Sequence, residues 1–221
     1  MGTATLQGRK SAHERLGSSL WARGFRPFFL ASAVWAIIAI AVWAPVSSGD
    51  IQLHTAFSPV DWHSHEMIFG YVAAVAAGFL LTAVPNWTGR LPVSGWRLVA
   101  LLTIWITGRL AVCESARIDR IAAALVDCAF LFVFAALVAK EVLAGKNWRN
   151  AKVVGLVVAL GLADVAFHYE GAATGDAAYA QRAALGLIVM LILLIGGRVT
   201  PSFTHNWLAR ADALTGQDNC R

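Results

Sequence analysis

The stretch Trp62-His63-Ser64-His65-Glu66-Met67-Ile68-Phe69-Gly70-Tyr71 decides how the rest of the chain is interpreted. It opens the apolar run 68–84, so two imidazoles and a carboxylate stand at the mouth of a predicted membrane helix. Ionisable groups at membrane depth are costly to bury and therefore predict a functional site. The alternative is that these side chains only meet water at the membrane surface. The thioether of Met67 adds a soft ligand that copper accepts.

The composition is that of a membrane protein. Of the 221 residues, 58% are hydrophobic and 14% are charged, whereas soluble domains carry roughly 25% charged residues. The nine tryptophans fit the aromatic belts of a membrane protein. A net charge of +5 would suggest nucleic acid in a soluble domain, but here the positive residues cluster in alternate loops. We therefore predict the lipid bilayer, and no nucleic acid, as a partner.

The apolar segments predict an all-α fold, a polytopic membrane bundle of about six transmembrane helices. A basic cytoplasmic arm (residues 1–26) precedes the six-helix domain (27–200), and a cytoplasmic tail (201–221) follows it. Ser58, Pro59 and Asp61 form a capping pattern that starts the second helix early. The six helices are expected at about 27–46, 58–84, 96–113, 121–139, 153–169 and 183–199, with Pro201 ending the last one.

The distribution of Lys and Arg predicts the orientation. Of the 18 such residues, fourteen lie in the arm, in the tail and in the loops after helices two and four, and three lie in the opposite loops. The remaining one, Arg109, lies within the membrane. Cytoplasmic segments carry the positive excess, so both termini are predicted to be cytoplasmic.

Helices three to five also carry ionisable groups at membrane depth: Arg109, Asp127, Asp164 and His168. Asp164 lies one helical turn from His168 and would orient its ring, or the two form an ordinary polar pair. Arg109 is too costly to face lipid, so we expect an ion pair with Asp127 or Asp164, or a bound anion such as a haem propionate.

Arg109, Asp127 and Asp164 are predicted to lie at similar depths in the membrane. At 1.5 Å per residue, Arg109 and Asp164 lie about 18 Å beyond the inner ends of their helices, and Asp127 lies about 10 Å from the outer end of its own. In a hydrocarbon core about 30 Å thick, all three fall in the outer half. We therefore predict one site near the periplasmic surface, with His65 as the first metal ligand, His63 and His168 next, and Arg109 as counter-charge. Its other members are the ligand Met67 and the supporting Glu66, Asp127, Asp164 and Arg198.

Stripes of small residues predict close helix packing. Gly70, Ala74 and Gly78 lie four apart on helix two, and Gly155, Ala159 and Ala163 do so on helix five. Through one of these stripes we expect self-association or a partner chain that completes the bundle. No nucleotide-binding or hydrolase motif of soluble enzymes is present in the sequence.

Four sequence blocks together resemble the NnrS family. They are residues 25–30 (Phe25 to Leu30), 62–70, 79–89 and 196–204, in this order along nearly the whole chain. Within them Arg26, His63, His65, Glu66, Arg198, Pro201 and Thr204 match as motif positions. The family is usually about twice this length, so the chain resembles an amino-terminal half, and its tail is expected to be truncated relative to the family.

The resemblance implies a multi-pass protein of the bacterial inner membrane that contains haem b and copper. It also implies a role in the nitric oxide response or in protection from nitrosative stress, in a denitrification context. Nitric oxide would be the small gaseous ligand. Two other functions stay open: a transporter or channel with a polar intramembrane site, and a non-catalytic membrane subunit that binds haem.

Overall fold

A computed structural model describes residues 20–218, with side chains described to residue 210. Within this part, six helices are long and apolar enough to cross a membrane. They are α1 (Phe25–Ser48), α2 (Pro59–Thr88), α3 (Trp96–Cys113), α4 (Arg120–Ala144), α5 (Ala151–Thr174) and α6 (Ala178–Asp218). The all-α polytopic bundle is thereby confirmed. Most of the predicted basic arm lies outside the described residues.

Helix α2 begins where the capping pattern predicts. Ser58 has extended backbone, and its Oγ accepts a hydrogen bond from the backbone N–H of Asp61 at 3.1 Å. The same hydroxyl donates to Oδ2 of Asp61 at 2.6 Å. Pro59 follows as the first helical residue, where its missing N–H costs nothing. This cap sets the depth at which the ionisable residues of α2 enter the bundle.

Two predicted helix ends are wrong, and both involve proline. Helix α2 continues through Pro85 and ends at Thr88, and the next residue, Gly89, adopts the left-handed conformation with φ of 68°. Helix α6 likewise continues through Pro201. A proline removes one backbone hydrogen bond, which a long membrane helix tolerates, whereas a glycine with positive φ stops a helix by capping it. The tail beyond residue 200 is therefore helical as far as it is described.

Helices α2 and α4 form the centre of the bundle. Helix α4 packs against α2, α3 and α5, α1 packs on α2, and α6 packs on α5. Within the apolar windows of α1 and α6, only 17% and 11% of residues are buried inside the protein, so these two helices lie at the periphery. The loops 49–58, 114–119 and 175–177 gather at one end, which we call the outer end after its predicted orientation.

The small-residue stripe of α2 is used within the chain. A Cβ atom on Gly78 would lie 2.8 Å from the ring of Phe29 and 3.1 Å from Cβ of Phe28, so glycine allows α1 to approach closely. Gly70 of the same stripe is similarly enclosed. The glycines of the α2 stripe are therefore covered by the chain itself. On α5, a Cβ atom on Gly155 would have no neighbour within 4 Å, and self-association there stays a prediction.

Candidate metal centre

A π-helical segment in α2 holds the residues that the sequence singles out. The helix is α-helical over Pro59–His65, π-helical over Glu66–Val72, and α-helical again from Ala73. π-Helical turns are rare and occur frequently at functional sites. The indole N–H of Trp105 on α3 donates to the carbonyl of Gly70 at 3.1 Å, which satisfies a backbone acceptor inside the widened segment.

Glu66 is completely buried at the start of this segment and is held from two other helices. The indole N–H of Trp35 on α1 donates to its Oε2 at 2.8 Å. Nη1 of Arg109 on α3 donates to the same oxygen at 3.1 Å. A Cβ on Gly70 would lie 2.8 Å from all three of these polar side chains, so only glycine leaves room for the arrangement.

Arg109 joins Glu66 to a second carboxylate, that of Asp127 on α4. Its Nη2 donates to Oδ1 of Asp127, and both side chains are at most 2% exposed. Gly108 permits this pair, because a Cβ there would lie 2.8 Å from Oδ1 of Asp127 and 3.1 Å from its Cα. Of the pairings expected for Arg109, the structure shows the one with Asp127.

His65 stands between the two aspartates. Its Nε2 lies 3.0 Å from Oδ2 of Asp127 and 3.1 Å from Oδ1 of Asp164, and its Nδ1 lies 3.4 Å from Oε1 of Glu66. Nε2 of His168 lies 3.0 Å from the same Oδ2 of Asp127. One ligand atom from each of His65, Asp127, Asp164 and His168 lies within 4.8 Å of the others, a grouping that has the dimensions of a metal site.

Aromatic rings close the space around His65. The ring centroids of Phe57, Phe69 and Phe167 lie 5.4, 5.1 and 5.2 Å from that of its imidazole. Phe57 is held in place by the outer loops, where the backbone N–H of its neighbour Ala56 donates to Oγ of Ser115 at 2.8 Å. The polar cluster is thus shielded by apolar rings, which strengthens the electrostatic interactions inside it.

The buried carboxylates outnumber the guanidinium of this cluster, so its formal charge depends on the protonation of its two imidazoles. It contains three carboxylates, Glu66, Asp127 and Asp164, against the single guanidinium of Arg109. With both imidazoles neutral, the cluster carries a charge of two negative units. Isolated charges in a low-dielectric interior must be compensated by protons or by a bound cation. A divalent cation bound by the four converging side chains would neutralise the cluster.

The sequence profile of the NnrS protein family matches residues 19–219, nearly the whole chain. The chain belongs to the NnrS family. No curated protein and no solved structure gave a significant match.

Some predicted site residues of this NnrS-family protein lie apart from the cluster. His63 stacks on Trp43 of α1 with ring centroids 4.4 Å apart, and its buried Nδ1 has no hydrogen-bond partner. Met67 packs on a separate apolar group formed by Ala39, Trp62 and Val112.

Arg198 lies at the inner end, where its Nη1 donates to Oδ1 of Asn150. The predicted orientation of His168 by Asp164 is also not what the structure shows, because His168 bonds to Asp127 and Asp164 bonds to His65.

Three contributors were missed by sequence reasoning. Trp35 and Trp105 place indole N–H groups inside the bundle, and Phe57 covers His65 from an outer loop. The two tryptophans lie in the middle of their helices, away from the interfacial belts where tryptophan is enriched, and that position was the available signal.

Proposed function

We propose that this protein binds a divalent first-row transition metal, copper(II) first among them, through His65, Asp127, Asp164 and His168, and that the metal centre handles nitric oxide. The observation that carries the proposal is the charge of the cluster. Three buried carboxylates face one guanidinium at the point where two imidazoles converge. A divalent cation balances that charge and occupies ligand atoms that already point toward one another.

The distances within the cluster support a metal. Metal bonds to imidazole nitrogen and carboxylate oxygen are about 2.0–2.2 Å long, so ligand atoms around one ion lie about 3.0–3.5 Å apart. The nitrogen–oxygen distances of 3.0, 3.1 and 3.0 Å that link His65 to Asp127 and Asp164, and His168 to Asp127, are of this size. A single imidazole N–H cannot donate fully to two carboxylates, whereas a metal ion binds both.

The ligand types narrow the choice of metal. Two imidazoles and two carboxylates suit copper(II), iron(II), zinc(II) or manganese(II), and affinity rises toward copper in this series. A copper(I) site would call for soft sulfur ligands, and Met67 packs with the separate apolar group. Copper is also the metal that membership of the NnrS family implies. The cluster therefore fits copper in its divalent state.

Haem b fits the described residues less well. Arg109, the expected partner of a propionate, is buried and bonded to Glu66 and Asp127. His63 has a buried ring nitrogen, Nδ1, without a hydrogen-bond partner, and this imidazole would hold the iron if haem is bound. The proposed metal site does not require bound haem.

The nitric oxide role comes from the family together with the position of the cluster. A metal held by four side chains at the outer half of the membrane lies where an uncharged gas dissolved in lipid arrives. The aromatic shell around His65 excludes water and favours a resident ion over the passage of ions, which speaks against the transporter alternative. Location in the bacterial inner membrane, with both termini cytoplasmic, is part of this proposal.

Purified protein tests the proposal directly. In detergent, the wild-type chain should contain a stoichiometric transition metal by elemental analysis, and His168→Ala should lose it. His54→Ala is the matched control, because His54 is exposed at the same end and contacts Arg117 outside the cluster. Nitric oxide should change the electron paramagnetic resonance signal of the copper-loaded wild type. A metal-free wild type that cannot be loaded with copper would overturn the metal centre. An unchanged signal would overturn only the nitric oxide role.

A further inference from the structure

A pocket of about 460 Å³ lies beside the metal centre, between the outer halves of α4 and α5. Helix α4 contributes Ile121, Leu125 and Phe132 to its wall, and Phe57 closes it from the loop before α2. Ile121 and Leu125 are 71% and 69% exposed on the surface that faces lipid. The pocket is therefore reached from the membrane.

His168 connects this pocket to the metal centre. It lines the pocket, and its side chain is 11% exposed, whereas those of the other three proposed ligands, His65, Asp127 and Asp164, are at most 1% exposed. Among the described residues, it is thus the member of the cluster that a molecule in the pocket would meet. The next residue inward is Asp127, whose Oδ2 lies 3.0 Å from Nε2 of His168.

The wall of the pocket selects an uncharged ligand with aromatic character. It contains no carboxylate, and its one fully charged side chain, Arg120, is exposed at the first turn of α4. The rings of Phe57, Phe132 and Tyr169 lie in the wall. Phe57 packs so closely on Gly171 that a Cβ there would lie 3.0 Å from the ring. Aromatic rings prefer offset or edge contacts with another ring, so this wall fits a planar ring.

We propose that this pocket binds the ring of a lipid-soluble quinone or quinol, with one ring oxygen hydrogen-bonded to His168. The volume is that of pockets for drug-sized molecules, which span about 300–1,000 Å³, and a diatomic gas would fill only a small part of it. The opening beside Ile121 and Leu125 lets an isoprenoid tail remain in the lipid. This site goes beyond the metal centre and does not require the proposed nitric oxide role.

His168 can form a hydrogen bond with either the quinone or the quinol. Its Nε2 faces Asp127, and Nδ1 has no partner among the described residues. When Nε2–H donates to Asp127, Nδ1 is an acceptor for a quinol hydroxyl. If Nε2 held a metal, Nδ1 would carry the proton and would donate to a quinone carbonyl, because the second nitrogen of a metal-bound histidine is commonly the donor.

Binding of decylubiquinone to the purified protein, followed by quenching of tryptophan fluorescence, tests the site. Ala129→Phe places a ring in the pocket and should weaken binding at least about tenfold, because the ligand must compete with the new side chain for the space. Ala136→Phe is the matched control. It makes the same change two turns further along α4, at an exposed alanine outside the pocket, and should bind like the wild type. Metal content should be unchanged in both variants.

Three results would overturn the quinone site. They are absence of saturable binding to the wild type, equal binding by Ala129→Phe, and a pocket occupied by phospholipid alone in native mass spectrometry. If Ala129→Phe does not fold, the wild-type protein can instead be labelled with a photoreactive azidoquinone, and the labelled peptides can be identified. Label on the peptides of α4 and α5 that line the pocket supports the proposal, and label confined to other helices refutes it. Because metal content is measured separately, loss of the metal centre and loss of the quinone site are distinguishable.

Discussion

The Nε2 atom of His65 on α2 lies 3.1 Å from the Oδ1 atom of Asp164 on α5, and both side chains are at most 1% exposed. Asp164 makes no bond to the guanidinium of Arg109, which bonds to Glu66 and Asp127. With both imidazoles neutral, this aspartate is the carboxylate that the guanidinium does not reach.

Asp164→Asn should show separately how the carboxylate of Asp164 affects the stability of the metal-free protein and the binding of copper. In metal-free protein the substitution removes uncompensated negative charge, so the melting temperature in detergent should stay the same or rise. With copper at about 100 times its dissociation constant, the wild type should gain about 2.7 kcal/mol, and the variant should lose most of that gain. Asp50→Asn, at an exposed position near the outer end, is the control and should behave as the wild type does. Equal copper stabilisation in Asp164→Asn would contradict the assignment of this residue as a ligand.

Asp127→Asn should have the opposite effect on the metal-free protein. Asp127 accepts from Arg109 and contacts both imidazoles, so its loss leaves a buried guanidinium with one carboxylate fewer. Removing one partner of a buried ion pair costs about 3–5 kcal/mol. Thermal unfolding of the metal-free variants should therefore rank Asp127→Asn well below Asp164→Asn. The reverse order would show that Arg109 is paired mainly elsewhere.

Gly70→Ala and Gly155→Ala form a matched pair of substitutions in membrane helices. At Gly70 the new methyl group would lie 2.8 Å from Glu66, Arg109 and Trp35, so we expect these side chains to shift, with loss of bound metal and lower stability. At Gly155 nothing lies within 4 Å of the new methyl group, and alanine should be neutral or stabilise by up to about 1 kcal/mol through its higher helix propensity. Metal analysis and melting temperatures check both. A Gly70→Ala protein with full metal content would contradict the tight packing around Glu66.

Trp35→Phe should weaken the support of Glu66. Its indole N–H donates to the buried carboxylate, and a buried acceptor that loses a donor costs about 1–3 kcal/mol. Trp43→Phe is the comparison on the same helix, because the indole N–H of Trp43 is buried without a partner and its removal loses no hydrogen bond. Unfolding in detergent should show Trp35→Phe to be the less stable of the two. Equal stability would mean that Arg109 alone holds Glu66.

Reporter fusions test the orientation predicted from the Lys and Arg bias. Fusions at Gly145, between α4 and α5, should report the cytoplasm, and fusions at Gly175, between α5 and α6, should report the periplasm. Gly145 and Gly175 lie at opposite ends of α5, so the two fusions should give opposite signals, and each serves as the expression control for the other. Reversed signals would place the metal centre near the cytoplasmic surface and would remove the periplasmic part of the proposed function.

The sequence alone determined the class of fold and predicted that the ionisable groups share one layer. Hydropathy identified the six spans, and Ser58, Pro59 and Asp61 set the start of α2. These are local properties, because the bilayer sets helix length and a cap involves neighbouring residues only. A rise of about 1.5 Å per residue then placed the ionisable groups of α2 to α5 in one layer.

Only the tertiary structure decided which groups in that layer meet. His63 and His65 are two residues apart, so they point about 200° from each other around the helix. His65 turns to the aspartates of α4 and α5, and His63 turns to Trp43 of α1. Asp164 bonds to His65 rather than to His168 on its own helix. Such pairings depend on the rotation of each helix about its axis, which is set by packing with neighbouring helices and by the π-helical segment, and hydropathy does not encode that rotation.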